Sequence, residues 1–372
     1  MIQQKKLSPG TDIRDLDRRQ LLEFFESRGM RRFRADQALR WLYFRRAGSF
    51  GEMTDLAKDA RRLLSSSFTI RRPEISDIQT SEDGTSKFLL ALEDGNTVES
   101  VLIPEKDHYT LCISTQVGCA MGCAFCMTGK SGLTRNLSRS EIIGQVIAAM
   151  DEAEKRGGMR LSNLVLMGMG EPLANYRNVV SAMEAITDAS WGLKFSTRRV
   201  TLSTAGLADR LKDLAADTRI RLAVSLNAAD NETRSRLMPV NKIYPLERLI
   251  DACASYPLQP RDKITFEYIL IKGVNDSPND ARKLAELLKP VRAKINLIPF
   301  NPHPDSEFSR PGTEAIESFR SVLTDKNYTA ITRWSKGTDI SAACGQLSGE
   351  ARSARCLNEK VQGTDSAVEL RR

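Results

Sequence analysis

The 372 residues are 41% apolar and 27% charged, enough material for the cores of two domains at about 100–200 residues each. No apolar run approaches the roughly eighteen residues a bilayer span needs, and Met1-Ile2-Gln3-Gln4-Lys5-Lys6 leads into polar sequence where a secretory leader would be apolar, so a cytoplasmic chain without membrane contact is expected. Lysine and arginine outnumber aspartate and glutamate 55 to 47, a net charge of +8 compatible with a polyanionic partner, while seven crowded cysteines argue for metal or redox chemistry over a disulfide framework.

Between about Asp15 and Phe68 apolar residues recur at helical spacing in three groups: Leu21, Leu22 and Phe25, then Ala35, Ala38, Leu39 and Leu42, then Leu56, Leu63 and Leu64. They predict a small helical domain over residues 1–70. Inside it, "MRRFRADQALRWLYFRR" sets Arg31, Arg32, Arg34, Arg40, Arg45 and Arg46 against Asp36 alone, with Trp41, Tyr43 and Phe44 among them. Such a stretch suits phosphate contact and base stacking, or equally a solvated basic helix face with core aromatics behind it. Over residues 71–108 the turn pairs Asp83-Gly84 and Asp94-Gly95 between apolar runs predict a β-rich connector. From 109 to 349 the strands "YTLCIST", "NLVLMG", "RRVTLST", "RLAVSL", "ITFEYILI" and "KINLIPF" alternate with polar or helical segments, which gives a parallel α/β sheet. Right-handed crossovers either close such units into a barrel or spread them into a doubly wound sheet, and both place the site at the C-terminal strand ends. The tail over residues 350–372 lacks apolar periodicity and is expected to be disordered.

"GCAMGCAFCMTG" gathers Cys119, Cys123 and Cys126 in a CxxxCxxC spacing directly after the first strand. Structural zinc normally takes four ligands in two pairs, and no second pair exists; Cys112 lies within the strand, seven residues upstream. A cubane on three cysteines would instead leave one iron open to a substrate. Three plain core cysteines are the remaining alternative. "LVLMGMGEPL" ends a strand in Gly168, Gly170 and Glu171, either a tight turn or a receiver for an ammonium; it lacks the third glycine of a dinucleotide fingerprint. Ser203, the run Ser225, Leu226 and Asn227, and Asn301 fall at other strand ends, where they cap turns or reach a ribose and a base. Cys344, in "GTDISAACGQL", has small neighbours suited to a segment that carries a thiol into a pocket, or is a structural cysteine. Cys253, on a predicted helix, is assigned to packing, and Cys356 near the tail is given no role.

Taken together these residues carry a resemblance. CxxxCxxC with Phe125 before the last cysteine resembles the radical S-adenosylmethionine superfamily, in which a 4Fe–4S cluster, here on Cys119, Cys123 and Cys126, offers its open iron to the amino and carboxylate groups of S-adenosylmethionine. "QVGCAMGCAFCMTG", "RNLSRSEI", "VLMGMGEPLANY", "VTLSTAG", "INLIPFNPHP" and "DISAACGQL", spread from about Thr97 to Gly349, are similar to the bacterial RNA adenine C2 methyltransferases, which act on 23S ribosomal RNA and on transfer RNA. The resemblance implies a partial (β/α)6 barrel with the helical domain as an RNA-binding accessory. It implies that Gly170 and Glu171 hold the amino-acid end of the cofactor, with Ser203, Ser225, Leu226, Asn227 and Asn301 around its ribose and adenine. It further implies that Cys344 takes a methyl group from one S-adenosylmethionine, that a radical made from a second draws hydrogen from that S-methyl group, and that the resulting methylene radical adds to C2. Cys112 would then release the product by a disulfide with Cys344, Glu99 would accept the C2 proton, and an electron-donor protein would restore the thiols. The chain departs from the pattern at Asn227, where histidine is usual, and at Lys336 and Ser341, where arginine and aspartate are expected. Three rivals stand beside this reading. One is the antibiotic-resistance relative that methylates C8, which the Gly-Glu-Pro turn and the helical domain resemble less; another is a non-catalytic iron–sulfur or zinc protein that binds RNA. The last, a radical enzyme for a small molecule, leaves the arginine-rich stretch without a purpose. A monomer is expected.

Overall fold

The structure is a computed structural model that describes residues 10–303 and 306–349; the tail expected to be disordered, the N-terminal hexapeptide and Cys356 lie outside the described residues. Three helices open the chain. Helix α1 (Arg18–Glu26) starts from a reciprocal cap, in which the Asp17 carboxylate accepts from the Gln20 amide and the Gln20 side chain accepts from the Asp17 amide. Helix α2 (Phe33–Leu39) runs on into a π-helical turn over Arg40–Phe44, and α3 (Lys58–Ser67) follows. Leu21, Phe25, Ala35, Ala38, Leu39, Leu42 and Leu64 form one buried face and continue into the core of the rest of the molecule.

The remainder is built on one ten-stranded sheet. Strands β1 (Glu74–Thr80), β2 (Ser86–Ala91) and β3 (Thr97–Pro104) form an antiparallel meander that pairs antiparallel with β4 (His108–Cys112). The cysteine loop then leaves through a small hairpin of β5 (Gln116–Gly118) and β6 (Leu133–Asn136), with the short helix α4 (Met127–Lys130) between them. Helix α5 (Arg139–Arg156) returns the chain to β7 (Arg160–Leu166), parallel to β4. Further units follow in strict succession: α6 (Tyr176–Thr187) and β8 (Val200–Thr204), α7 (Leu211–Asp217) and β9 (Arg221–Ser225), then α8 (Asn231–Leu237) and α9 (Leu246–Ala254) before β10 (Ile264–Leu270). Last come α10 (Pro278–Leu287) with β11 (Ala293–Pro299) and α11 (Thr313–Asp325) with β12 (Ala330–Thr332).

The order β1-β2-β3-β4-β7-β8-β9-β10-β11-β12 decides between the two architectures. Each new strand joins on the same side of its predecessor, so the winding never reverses as it does in a doubly wound sheet, and the result is a partial barrel. Among the described residues β1 and β12 remain unpaired edges. Two features differ from the sequence expectation. The segment expected as a separate connector is the antiparallel wing of the barrel sheet itself, and β12 adds a parallel strand of only three residues. Along β10, Phe266, Tyr268 and Leu270 are buried beneath the helices while the alternate residues Glu267 and Ile269 face the barrel interior, as the two-residue period of a strand requires. The helical unit seats on α5: Arg139 donates to the Tyr43 hydroxyl at 2.6 Å, the Tyr43 ring lies 5.7 Å from that of Trp191, and the Ser140 amide donates to Asp15 at 2.8 Å. Among the described residues no helix is long and apolar enough to cross a membrane.

Candidate active site

The cysteine loop is shaped by glycines. Gly118 has φ +73°, and a Cβ there would sit 1.9 Å from the Gly132 carbonyl oxygen, the same oxygen that accepts from the Cys119 amide at 2.7 Å. A Cβ at Gly129 would come within 3.0 Å of the Cys123 amide nitrogen. So folded, the loop brings Cys119, Cys123 and Cys126 to the wall of one cavity of about 150 Å³, beside Met121 and Phe125. Burial pushes the Cys119 thiol up to about 11 and the Cys123 thiol higher still, so iron binding there would displace protons. All six described cysteines, Cys112, Cys119, Cys123, Cys126, Cys253 and Cys344, are free thiols. Among the described residues no three His, Cys, Asp or Glu side chains close on a point as one ion requires. The loop thiols instead share a cavity wall, a disposition that fits a polynuclear cluster.

Across the cavity lies the turn after β7. Gly170 has φ +97°, and its missing Cβ would fall 2.5 Å from that of Gln116, so no larger residue fits. Gln116 in turn accepts from the Glu171 amide at 2.8 Å. The Glu171 carboxylate is buried and accepts from the amides of Leu173 at 2.9 Å and Ala205 at 2.6 Å, which ties the ends of β7 and β8 together. Burial nevertheless pushes its carboxyl up to about 7. A buried acid that already gathers two donors and still lines the cavity is suited to receive an ammonium. Ser203 and Ser225 line the same space from β8 and β9.

Asn227 lines it too, with left-handed backbone at φ +59°, a conformation asparagine tolerates better than most residues. Its side chain is used internally, accepting from the Ile269 amide at 2.8 Å and donating to the Met238 sulfur at 3.2 Å. Leu226 is buried and outside the lining, and its carbonyl accepts from Arg234. Arg234 is a residue that sequence reasoning misses. It is fully buried, and its guanidinium donates to the carbonyls of Leu226 at 3.1 Å and Ala205 at 2.8 Å and to the Asn241 side chain at 2.8 Å. Nothing in "NETRSRL" marks it out among the other surface arginines of a helix.

Cys344 sits on a loop fastened from several sides. The Met127 amide donates to the Gly345 carbonyl at 2.8 Å and the Thr128 hydroxyl to the Leu347 carbonyl at 2.6 Å, so the loop docks directly on the cysteine loop. Asn301 lies outside the cavity lining and donates to the Cys344 carbonyl at 3.2 Å. The sheet wing holds the other flank. Asp83 accepts from the Gly337 amide at 2.8 Å, Asp339 accepts from the Ser81 hydroxyl at 2.6 Å, and Lys336 donates to the Pro104 carbonyl. Ser341, the other departure from the expected pattern, takes φ +53°. Glu99 belongs to this fastening: buried on β3, it pairs with Lys87 at 2.9 Å and accepts from the amides of Ser348 at 2.8 Å and Gly349 at 3.0 Å. Neither Glu99 nor Cys112 lines the cavity. Cys112, on β4, is buried, and its thiol is pushed up to about 12 by desolvation and then by the nearby Cys344. Cys344 itself is exposed, and it lines both the cavity and an outer groove formed with Ile103, Glu105, Arg333, Trp334 and Lys336.

A partial barrel with three thiols on the loop after its first parallel strand, facing a glycine–glutamate turn, defines a radical S-adenosylmethionine enzyme. Residues 113–288 match the radical SAM superfamily, and residues 11–70 match the N-terminal domain of ribosomal RNA large-subunit methyltransferases. The dual-specificity RNA methyltransferase RlmN of Desulfosudis oleivorans is 54% identical over 92% of this chain and 91% of its own length, and that of Geobacter sulfurreducens 49% over 96% and 98%. The crystal structure of a radical SAM methyltransferase from Sphaerobacter thermophilus superposes with a TM-score of 0.85 at 41% identity, over 91% of this chain and all of that one. The chain belongs to the RlmN family of RNA methyltransferases. It is an S-adenosylmethionine-dependent radical enzyme acting on RNA, with a 4Fe–4S cluster and S-adenosylmethionine as cofactors.

Proposed function

We propose that this chain methylates C2 of adenine in 23S ribosomal RNA and in transfer RNA through a methyl group carried on Cys344, at the expense of two S-adenosylmethionine molecules per turnover. The observation that carries the reading is the placement of Cys344, among the described residues the one thiol that lines both the cofactor cavity and the groove open to solvent. Cys119, Cys123 and Cys126 would hold the cluster, which would supply one-electron reduction to S-adenosylmethionine. Gly170 and Glu171 receive the amino-acid end of that cofactor, and Ser203, Ser225 and the Asn227 backbone face its ribose and base. Leu226 and Asn301 act from behind the lining, through the Arg234 and Cys344 contacts they make. Cys344, held by Asn301 and by a loop docked on the Met127 amide and the Thr128 hydroxyl, presents its thiol first to the methyl donor and then to the base. Cys112, shielded on β4 beside it, resolves the adduct when its thiolate attacks the Cys344 sulfur: the disulfide forms as the bond from that sulfur to the methylene carbon on the base breaks, the carbon keeps the electron pair and takes a proton, and an electron-donor protein reduces the disulfide. Glu99 has a firm duty as the anchor of residues 348–349, and proton acceptance from C2 requires it to let go of those amides. The chain acts as a cytoplasmic monomer.

The test separates the two thiols. Mass spectrometry of RNA treated with reconstituted enzyme is expected to show 2-methyladenosine, with Cys344→Ala inactive and Cys112→Ala accumulating RNA crosslinked through Cys344. A product of 8-methyladenosine, or normal turnover by Cys344→Ala, overturns the assignment.

A further inference from the structure

Strand β10 carries one charged residue in an otherwise apolar or hydroxyl-bearing run, Glu267. It faces the barrel interior, with 5% of its surface exposed. Its Oε1 accepts from the Asn296 side chain at 3.0 Å, directly across the β10–β11 register. Its Oε2 is buried and has no hydrogen-bond partner among the described residues. Arg333 and Lys294 act on it only through space, and among the described residues it forms no ion pair. Leaving a buried carboxylate oxygen without a donor is costly, on the order of 1–3 kcal/mol or more for a charged group, so a fold that keeps one has a use for it.

Position supplies that use. Glu267, Met167, Ile298 and Cys344 line both the cofactor cavity and the outer groove, so the Glu267 side chain stands in the wall where the two spaces meet, and its covered Oε2 needs only a small side-chain rotation to meet a base there. The groove mouth carries Trp334, 55% exposed, and Arg333, exposed and, among the described residues, without a hydrogen bond or ion pair from its side chain, a face suited to stacking a base and meeting a phosphate. On the cofactor side the proposed function gives the ammonium to Glu171 of the glycine–glutamate turn, which leaves the groove side to provide the donor Glu267 lacks. Adenine offers one at its exocyclic amino group; guanine presents an oxygen at the same position, which a carboxylate repels.

Resting on the adenine reading above, we infer that Glu267 reads the target base by accepting a hydrogen bond from its exocyclic amino group at Oε2. It is thus a specificity-determining residue for the reaction. The test uses reconstituted holoenzyme and an RNA hairpin carrying either adenosine or purine riboside, which lacks the amino group, at the target position. For the wild type, kcat/KM on adenosine is expected to exceed that on purine riboside by about 10- to 100-fold, the range for a hydrogen bond to a charged group. In Glu267→Ala the adenosine value falls by that factor, the purine value stays, and the ratio collapses towards one. Glu267→Gln, which conserves shape, carries the same comparison if the alanine variant fails to fold. Methylation of Cys344 by S-adenosylmethionine without RNA should be retained in both variants. A ratio equal to that of the wild type in either variant, or a matching loss of Cys344 methylation that would mark a cofactor contact, overturns the proposal. A wild type that methylates neither RNA instead removes the adenine reading on which it rests.

Discussion

Arg234 is a guanidinium enclosed by neutral partners: the carbonyls of Leu226 and Ala205 and the amide of Asn241. Among the described residues it forms no ion pair with a carboxylate, and the groups that act on it through space are Cys123 and Cys253. The thiolate and cluster charge on the Cys123 side is therefore its natural counterion. Replacing it with Gln should make the cluster harder to reduce, by roughly 50–100 mV for an interaction of about 1–2 kcal/mol with one added electron, as an EPR-monitored redox titration would show. An unchanged potential would leave Arg234 a purely structural clasp. Glu171 gives a second test in metal-free protein. Its folded pKa of about 7 lies above the ordinary 4.5, so the folded state keeps a proton that the unfolded chain releases. That proton's contribution is fully present below pH 4.5 and is lost as pH rises through 7. Wild type should lose about 3 kcal/mol across this window relative to Glu171→Gln in urea unfolding; parallel curves would contradict the raised pKa. Residues of this kind are the least legible in the sequence. Cys119, Cys123 and Cys126 announce themselves by spacing, whereas Arg234 and Glu267 matter only through what surrounds them. A charged residue in the middle of "ITFEYIL" is the one available signal for Glu267.

At the scale of elements, the basic stretch through α2 and its π-turn divides in two. Arg46 is committed internally, to Asp151 at 3.3 Å and Glu154 at 2.6 Å on α5, and Tyr43 is core, while Arg32 is engaged by Glu26. Arg31 and Arg40 are exposed and make no side-chain hydrogen bond or ion pair among the described residues, and Arg45 lies 4.2 Å over the Trp41 ring. The packing half of the sequence expectation holds for Tyr43 and Arg46, and Arg31, Arg40 and Arg45 are the residues left facing solvent, where an RNA contact can be tested. Replacing Arg31, Arg40 and Arg45 together with Ala should weaken RNA binding and flatten its logarithmic salt dependence by about two to three units, at roughly 0.7–0.9 for each phosphate no longer neutralised. Equal salt slopes would return the whole face to solvent. Most strands and helices are legible from the alternation of apolar runs with turn residues. β12 is not, since a strand of three residues leaves no period to read.

At the scale of the molecule, neither the choice of a barrel nor the fusion of the β1–β3 wing to it can be read from local sequence, because both depend on which strands become neighbours. That neighbour order has a mechanical result. The sheet stops at β1 on one side and β12 on the other, and the segment that leaves β12 is joined to the wing through Asp83, Asp339, Lys336 and Glu99. The seam of the barrel is therefore sewn by scattered side-chain stitches rather than a backbone ladder, and the thread is the segment that carries Cys344. Parting the seam and displacing that thiol are one movement, which breaks a handful of hydrogen bonds while the ladders of β7 to β11 stay whole. In hydrogen exchange the amides of Gly337, Ser348 and Gly349 should accordingly lose protection as a group, long before those of β10, and pre-binding of RNA should shift that group alone.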